Sequence, residues 1–382
     1  MEMFEIMFLS GIVAYKFINS FKTEQEKINE IIQSTNCRNN RGEFPTVKKL
    51  NKDYYNIIIP NGISFQKVKE LEPIITTNLK KNVVIDEKDF RYFLIFKKEM
   101  KFKSVYHFEL IKYSDEELKF PIGYNIENKL TWLNLSKHPN MILSGITSSG
   151  KSVFIHNMIL QLLNSYDIEF TMIDLKAGIE LSDYADLKQV RDFTFLPDEV
   201  YSILDKVEKD IFNRLNKIRN AKCKNYTEYN SKFPQSKINY HVVILEEIMS
   251  LNKDKDVMKT LKRCLSVCRA TGTYFVLTSQ RFDATVIDGA IKTNCDLRIS
   301  FKVKSKTDSL IILDEVGAEN ITDKGRCIFN TDGELQEVQC FYVTNEQIQS
   351  EINKYPLKED NSDLISQERE WFNWWLLKEI WN

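Results

Sequence analysis

The sequence predicts an α/β protein: a mainly parallel central sheet with crossover helices, preceded by a small α+β domain. Three observations predict this. From Pro121 to about Val343, short apolar runs alternate with long helical stretches, the pattern of parallel strands joined by helices. Within that region the apolar run Met141-Ile142-Leu143 leads into GITSSGKS, Gly145 to Ser152, and then into the apolar-periodic VFIHNMILQLL, the order of strand, Gly-rich loop and helix that a phosphate-binding loop requires. Upstream, between Tyr54 and Ile111, the runs are shorter, β-rich and separated by turn residues.

A length of 382 residues accommodates one large α/β domain and a smaller one. With 43% hydrophobic and 28% charged residues the chain falls outside the disordered and fibrous classes. Its 53 basic and 54 acidic residues leave a net charge of −1, so any contact with nucleic acid must come from local patches rather than a global field. The seven cysteines form no CxxC pair and no zinc-like spacing with the four histidines. They read as reduced thiols of a cytosolic protein, and Cys264 and Cys268 as packing residues that share one helix face.

Residues 1–49 are expected to be an N-terminal apolar segment and linker. Met3 to Ile18 is apolar except for Glu5, Ser10 and Lys16, which is shorter than the roughly 20 residues of a transmembrane helix. No small-residue cleavage site follows. A marginal anchor, an interfacial helix and a segment docking on a partner all stay open for residues 3–18, so the expected location is cytoplasmic, with a tether to the inner face of the membrane as an option. A short helix and a linker through Arg38-Asn39-Asn40-Arg41-Gly42 come next.

Residues 50–119 are expected to form the small α+β domain, with strands at Tyr54–Ile59, Asn82–Ile85, Tyr92–Phe96 and Val105–Ile111, a helix from Ser64 to Leu79 and a turn at Pro60-Asn61-Gly62. Residues 120–345 form the large domain, with buried strands at Met141–Leu143, Phe170–Ile173, His241–Leu245, Tyr274–Thr278 and Leu297–Phe301. Residues 346–382 read as a charged linker and a tryptophan-rich helix, Trp371, Trp374, Trp375 and Trp381 recurring at near-helical spacing on a face expected to dock on the body, a partner or membrane surface being the other reading.

The phosphate-binding loop names the first part of a site. Gly145, Ile146, Thr147, Ser148, Ser149, Gly150, Lys151, Ser152 and Val153 are the expected nucleotide-binding residues, Lys151 reaching the β- and γ-phosphates of ATP and Ser152 holding Mg²⁺ through its hydroxyl. HVVILEE, His241 to Glu247, supplies acids at the end of an apolar strand. Glu246 falls where the metal-supporting acid is needed, and Glu247 is placed to polarise an attacking water as general base. TYFVLTSQR, Thr273 to Arg281, ends a third apolar strand in polar residues, with Gln280 or Thr278 placed to sense the γ-phosphate.

Several ordered segments then resemble one family. HPNMILSGITSSGKSV is similar to the approach to the nucleotide loop in FtsK/SpoIIIE-type DNA translocases, and FTMIDLKAGIEL resembles their stretch in which an Asp and a Lys follow the second strand. Glu208, Arg214 and Tyr229-Asn230 echo the helix and loop before the acidic strand, and CRATGTYFVLTSQR resembles the run that ends in a Gln-Arg pair. IKTNCDLRISFKVKSKTDSLIILDEVGAENI matches the later block at Lys292, Asn294, Arg298, Asp308, Ser309, Asp314 and Gly317. The departures are Glu246 where the family carries Asp, and Ser279 and Phe282 in the strand-end signature.

The resemblance implies a RecA-like P-loop NTPase fold over about Pro121 to Phe329 and an ATPase that threads double-stranded DNA through a homo-oligomeric ring, expected to be a hexamer. Each site would be completed by an arginine from the neighbouring subunit, Arg269 first, with Lys292 and Arg298 as rivals. The small domain would be similar to the family's DNA-tracking domain. No multi-pass membrane domain or winged-helix module is read in the sequence, so it looks like the compact coupling ATPases of conjugative elements, with a relaxase or other conjugation proteins as partners. Lys302, Lys304 and Lys306, and the run Lys217, Arg219, Lys222 and Lys224, are the basic stretches available for DNA, although runs of this kind are usually plain solvated faces. A ring ATPase that moves protein and a nucleotide-dependent scaffold are the alternatives.

Overall fold

A computed structural model describes residues 22–88, 91–96, 102–113, 117–283, 287–331 and 333–358. The chain divides into two compact units, residues 1–101 and 102–382.

In the first unit, helix α1 (Glu24–Gln33) opens with a capping box, Thr23 accepting from the Glu26 N–H while Glu26 accepts from the Thr23 N–H. Its Ile28 and Ile32, one turn apart, are buried against a four-stranded antiparallel sheet of β1 (Thr46–Lys49), β2 (Tyr54–Ile58), β3 (Val83–Lys88) and β4 (Arg91–Phe96), in the order β1-β2-β4-β3. The short helix expected before residue 50 is α1, and with Cys37 and Val47 from the stretch expected to be a linker it forms part of this core. The single helix expected from Ser64 to Leu79 is two, α2 (Phe65–Lys69) and α3 (Leu71–Leu79). Pro73 explains the break. It has no N–H to bond back into a continuous helix, and the restart at Leu71 puts it in a first turn, where none is needed.

The boundary expected near residue 119 falls at 102 instead. Strand β5 (Tyr106–His107), all that forms of the expected Val105–Ile111 strand, pairs with β15 (Glu334–Tyr342) of the second unit, and the Ile111 N–H bonds to Gln161 there. Sequence adjacency suggested membership of the small domain, whereas backbone pairing with a distant strand decided otherwise.

The second unit is built on an eleven-stranded sheet. Its parallel part contains β8 (Asn140–Ser144), β9 (Ile168–Asp174), β10 (Val190–Thr194), β11 (Tyr240–Glu246), β12 (Thr273–Ser279) and β13 (Leu297–Ser300), ordered β10-β9-β11-β12-β8-β13. The five strands expected from apolar runs are all present. Side chains alternate between two cores: Met141, Phe170, Val242 and Val276 pack on one face, and Ile142, Ile173, Val243 and Leu277 on the other. Helix α4 (Lys151–Ser165) covers the first face, and α5 (Val200–Asn220) and α7 (Lys255–Val267) cover the second. Between these last two, α6 (Tyr226–Lys232) packs its Tyr226 and Tyr229 in a small separate cluster. Burial on both faces is why these strands read as unbroken apolar runs.

The sheet continues antiparallel through β14 (Arg326–Thr331), β15, β6 (Lys119–Asn125) and β7 (Leu130–Asn134). Gly123 permits the β6–β15 approach: at φ +150°, a Cβ there would lie 2.1 Å from the Gln339 carbonyl oxygen. Helices α8 (Gly289–Asn294), α9 (Lys306–Leu313) and α10 (Asn345–Ile352) complete the unit. Among the described residues no helix is long and apolar enough to cross a membrane. The apolar segment 3–18 and the tryptophan-rich tail lie outside the described residues.

Candidate nucleotide site

Parallel strands end on one edge, so their last residues meet. Thr278 is paired with Leu143, the residue before Ser144, while Leu277 is paired with Leu245, the residue before Glu246. The loop after β8 and the ends of β11 and β12 consequently open together, β12 lying between the other two.

The expected loop residues form a loop that glycine alone can make at two points. A Cβ on Gly145 would sit 2.6 Å from Ser149 Oγ and 2.7 Å from Phe301 Cβ. Gly150 has φ +114°, and its Cβ would meet Gly325 Cα at 2.7 Å. Hydrogen bonds fix the loop on both sides: the Ile146 N–H donates to the Lys302 carbonyl at 2.9 Å, and the Gly325 N–H to the Ser149 carbonyl at 2.8 Å. Ser148 takes a left-handed conformation, φ +63°. Helix α4 begins at Lys151, so its unpaired N–H groups and positive dipole end face the loop.

Lys151, at the start of α4, and Glu246, at the end of β11, are buried and form an ion pair. Thr278 completes a triangle, donating to Glu246 Oε2 and accepting from Lys151 Nζ at 3.2 Å. Burial pushes the Glu246 carboxyl above its ordinary value, and the Lys151 charge beside it pulls the other way. A charged pair this deep is tolerated because each member satisfies the other.

Glu247 follows in a left-handed conformation, φ 60° and ψ 48°, strain of the kind kept at functional positions. Its carboxylate accepts from Ser279 Oγ at 2.6 Å and from the Gln280 N–H at 3.2 Å. Gln280 Oε1 accepts in turn from Thr147 Oγ1 at 3.1 Å. Gln280 thus joins the acidic strand to the phosphate loop, and Ser279, which departs from the family's signature, holds Glu247.

A cleft of about 570 Å³ lies over the loop, walled by Thr147, Ser152, Lys176, Glu180, Gln280 and Tyr342 among others. This volume suits a small organic ligand. Neither Glu246 nor Glu247 is on its wall; both stand behind residues that are. Ser149 Oγ is buried without a hydrogen-bond partner, a donor free for a phosphate oxygen. Ser152 and Glu180 on the wall of the cleft, and Glu246 behind it, carry the hard oxygen donors that Mg²⁺ takes.

The three candidate cations for a neighbour's site are away from this cleft. Arg269 is exposed just before the start of β12, at the opposite end of that strand from Gln280. Lys292 and Arg298 both bind Asp314, Lys292 at 2.7 Å. Other residues of the family resemblance are structural ties. Arg214 is buried on Asp210 and the Asn239 carbonyl, Glu208 binds Arg263 through both oxygens, and Asn230 brackets Ile238. Glu180 and Gly325 were not singled out by sequence: Glu180 lies six residues past the end of β9, and Gly325 acts only through a contact from far along the chain.

A sequence model of the FtsK/SpoIIIE family matches residues 102–321. The chain is 31% identical over 266 residues to a DNA translocase FtsK of Leptospira interrogans, covering 66% of this chain and 28% of the relative. It is 32% identical over 240 residues to that of Campylobacter jejuni, covering 60% and 25%. It therefore spans about a quarter to a third of the length of such relatives. In fold it is similar to the pCW3 conjugation coupling protein TcpA, monomer form with ATPγS, at TM-score 0.64 and 23% identity, covering 86% of this chain and 98% of that one. It is also similar to the cytoplasmic domain of the type VII secretion ATPase EccC of Thermomonospora curvata, at TM-score 0.56 and 19% identity, covering 63% and 32%.

Proposed function

We propose, for a chain that belongs to the FtsK/SpoIIIE family, ATP hydrolysis coupled to translocation of double-stranded DNA by a homo-oligomeric ring, hexameric in our reading. The observation that carries the ATPase is the triangle of Lys151, Glu246 and Thr278, which joins the start of α4 to the ends of β11 and β12 beneath a glycine-rich loop. DNA as substrate is supported by the relatives named DNA translocases, and a role as coupling motor of a conjugative element by the likeness in fold to TcpA. A cytoplasmic location follows from the DNA substrate.

In this reading the loop N–H groups, the start of α4 and Lys151 hold the ATP phosphates. Ser152 and Glu246 hold Mg²⁺, which when bound supplies positive charge at the β- and γ-phosphates. Glu247 takes the proton of the attacking water, and its bonds to Ser279 and the Gln280 N–H aim its carboxylate. Gln280, bonded to both Thr147 and Glu247, senses the γ-phosphate. Arg269 serves the neighbouring subunit's site: it is exposed at the far end of β12, whereas Lys292 and Arg298 are engaged with Asp314.

ATP turnover measured with and without double-stranded DNA, beside Lys151→Ala, tests the proposal. Stimulation by DNA, abolished in the variant and weakened steeply by salt, is expected. Turnover that responds to a protein partner but not to DNA would replace the substrate, and no turnover at all would leave only a nucleotide-dependent scaffold.

A further inference from the structure

Arg269 stands on a short 3₁₀ turn, Cys268–Thr271, between α7 and β12. Arg269 itself is exposed, whereas Cys268 and Thr271 at the two ends of the turn are fully buried. Several elements tie the turn down. The Thr271 hydroxyl donates to the Cys268 carbonyl at 2.7 Å, and the buried Arg214 of α5 donates to the Thr271 carbonyl at 3.3 Å. Gly272 closes the turn with φ 71°, and a Cβ there would lie 3.2 Å from the Tyr226 ring. The last tie comes from Asn140, the buried first residue of β8. Its Nδ2 donates to the Leu265 carbonyl in the last turn of α7 at 3.2 Å and to the Asn294 carbonyl at the end of α8 at 2.8 Å. Its Oδ1 accepts from the Cys268 thiol at 3.2 Å.

One buried amide thus spends both its hydrogens and its oxygen around the segment that carries an exposed arginine. A buried amide needs partners, and a carbonyl in the last turn of a helix is an ordinary one. Such a cap accounts for Leu265; it does not account for the bond to Cys268, the residue directly before Arg269, or for the join to α8. An arginine that acts on a neighbouring subunit's γ-phosphate reaches out of its own chain, so the backbone beneath it must set its place, and a misplacement of about 1 Å can cost roughly 10²-fold in rate. We propose that Asn140 is a positioning residue for Arg269: it fixes the turn from inside, so that the guanidinium is presented outward at one set place. This rests on the reading of Arg269 as the cation supplied to the neighbour. Asn140 and the phosphate loop of its own subunit lie at opposite ends of β8, so loss of the amide should reach the neighbour's site rather than its own.

The test mixes full-chain variants in equal amounts and measures ATP turnover. Lys151→Ala subunits lack a working site but keep Arg269, and Arg269→Ala subunits keep the site but lack the arginine. Together they are expected to recover turnover that neither shows alone. Asn140→Ala added to the Lys151→Ala subunits should lower the recovered turnover by about tenfold or more, whereas added to the Arg269→Ala subunits it should change it by less than about twofold. Cys268→Ala removes the donor to Asn140 Oδ1, should shift the balance the same way, and carries the comparison if the Asn140 variant does not fold. Equal losses in both arms would make Asn140 a plain structural tie and overturn the proposal, as would no loss in either arm or a loss confined to the Arg269→Ala subunits. No recovery from the mixture that retains Asn140 would instead overturn the reading of Arg269.

Discussion

The two halves of the large sheet contrast in what their strand directions allow. In the parallel half every strand ends on the same edge, and that edge gathers Lys151, Glu246, Glu247, Thr278 and Gln280. Left-handed backbone collects there as well, at Ser148, Gly150, Ala177, Gly178 and Glu247. In the antiparallel half successive strands point opposite ways, so their ends are divided between two edges. It supplies one wall of the cleft, from Asp323–Gly325 and Gln339–Tyr342, and a hydrogen bond that pins the phosphate loop from outside. Parallel order concentrates chemistry, and the antiparallel half braces it.

Breaking the parallel half at its chemical edge should have the largest effect. Glu247→Gln is expected to bind ATP as the parent does while phosphate release falls roughly 10²- to 10⁴-fold, the usual contribution of a general base. Near-parental turnover would remove Glu247 from that role.

The brace between the halves is probed by Gly150→Ala. The added methyl would collide with the Gly325 backbone at 2.7 Å in a conformation disfavoured for alanine, so a loss of about 1–3 kcal/mol is expected, together with weaker nucleotide binding, checked by denaturant melts and titration. Binding unchanged despite that loss would show that the antiparallel half does not shape the loop.

Gly123→Ala confines damage to the antiparallel half. With a Cβ 2.1 Å from the Gln339 carbonyl oxygen, β6 must part from β15, and a loss of roughly 2–4 kcal/mol is expected. Nucleotide affinity of the protein that remains folded should change less than in Gly150→Ala, because Gly123 is not on the wall of the cleft.

The smallest effect sharpens the contrast through pH. His241, on β11, is fully buried and shares a 2.9 Å hydrogen bond with Thr171; burial, then the nearby charges of Arg214 and Arg191, hold its pKa well below 6.5. As pH falls through 6.5 the unfolded chain takes up a proton that the folded chain refuses, so this residue's contribution to stability is lost on acidification. Thermal melts at pH 7.5 and 5.5 should differ less for His241→Gln than for the parent. An equal difference would mean that other groups set the acid sensitivity.

The parallel strands were legible because burial on both faces leaves each as an apolar run, as in VVIL of β11 and YFVL of β12. The antiparallel strands were not. β15 is exposed over Glu334–Glu337 and buried only from Val338 to Phe341, so no single period marks it. A hairpin signal was nonetheless present in the Asp332-Gly333 pair between β14 and β15. The edge strand β10 is short and paired with a register shift, and left no clear pattern.

The sequence alone determined the strand, loop and helix around GITSSGKS and the two acids closing an apolar strand, because residue spacing within a few positions fixes such elements. Only tertiary structure decided that Thr278 from β12 joins Lys151 to Glu246, that Gly325 packs against Gly150, and that Lys176 and Glu180 line the cleft beside Ser152. Each of these joins residues from separate elements, and strand order, the buried Asp174 that accepts the Lys176 and Glu180 N–H groups, and the close approach of two glycines select the partners.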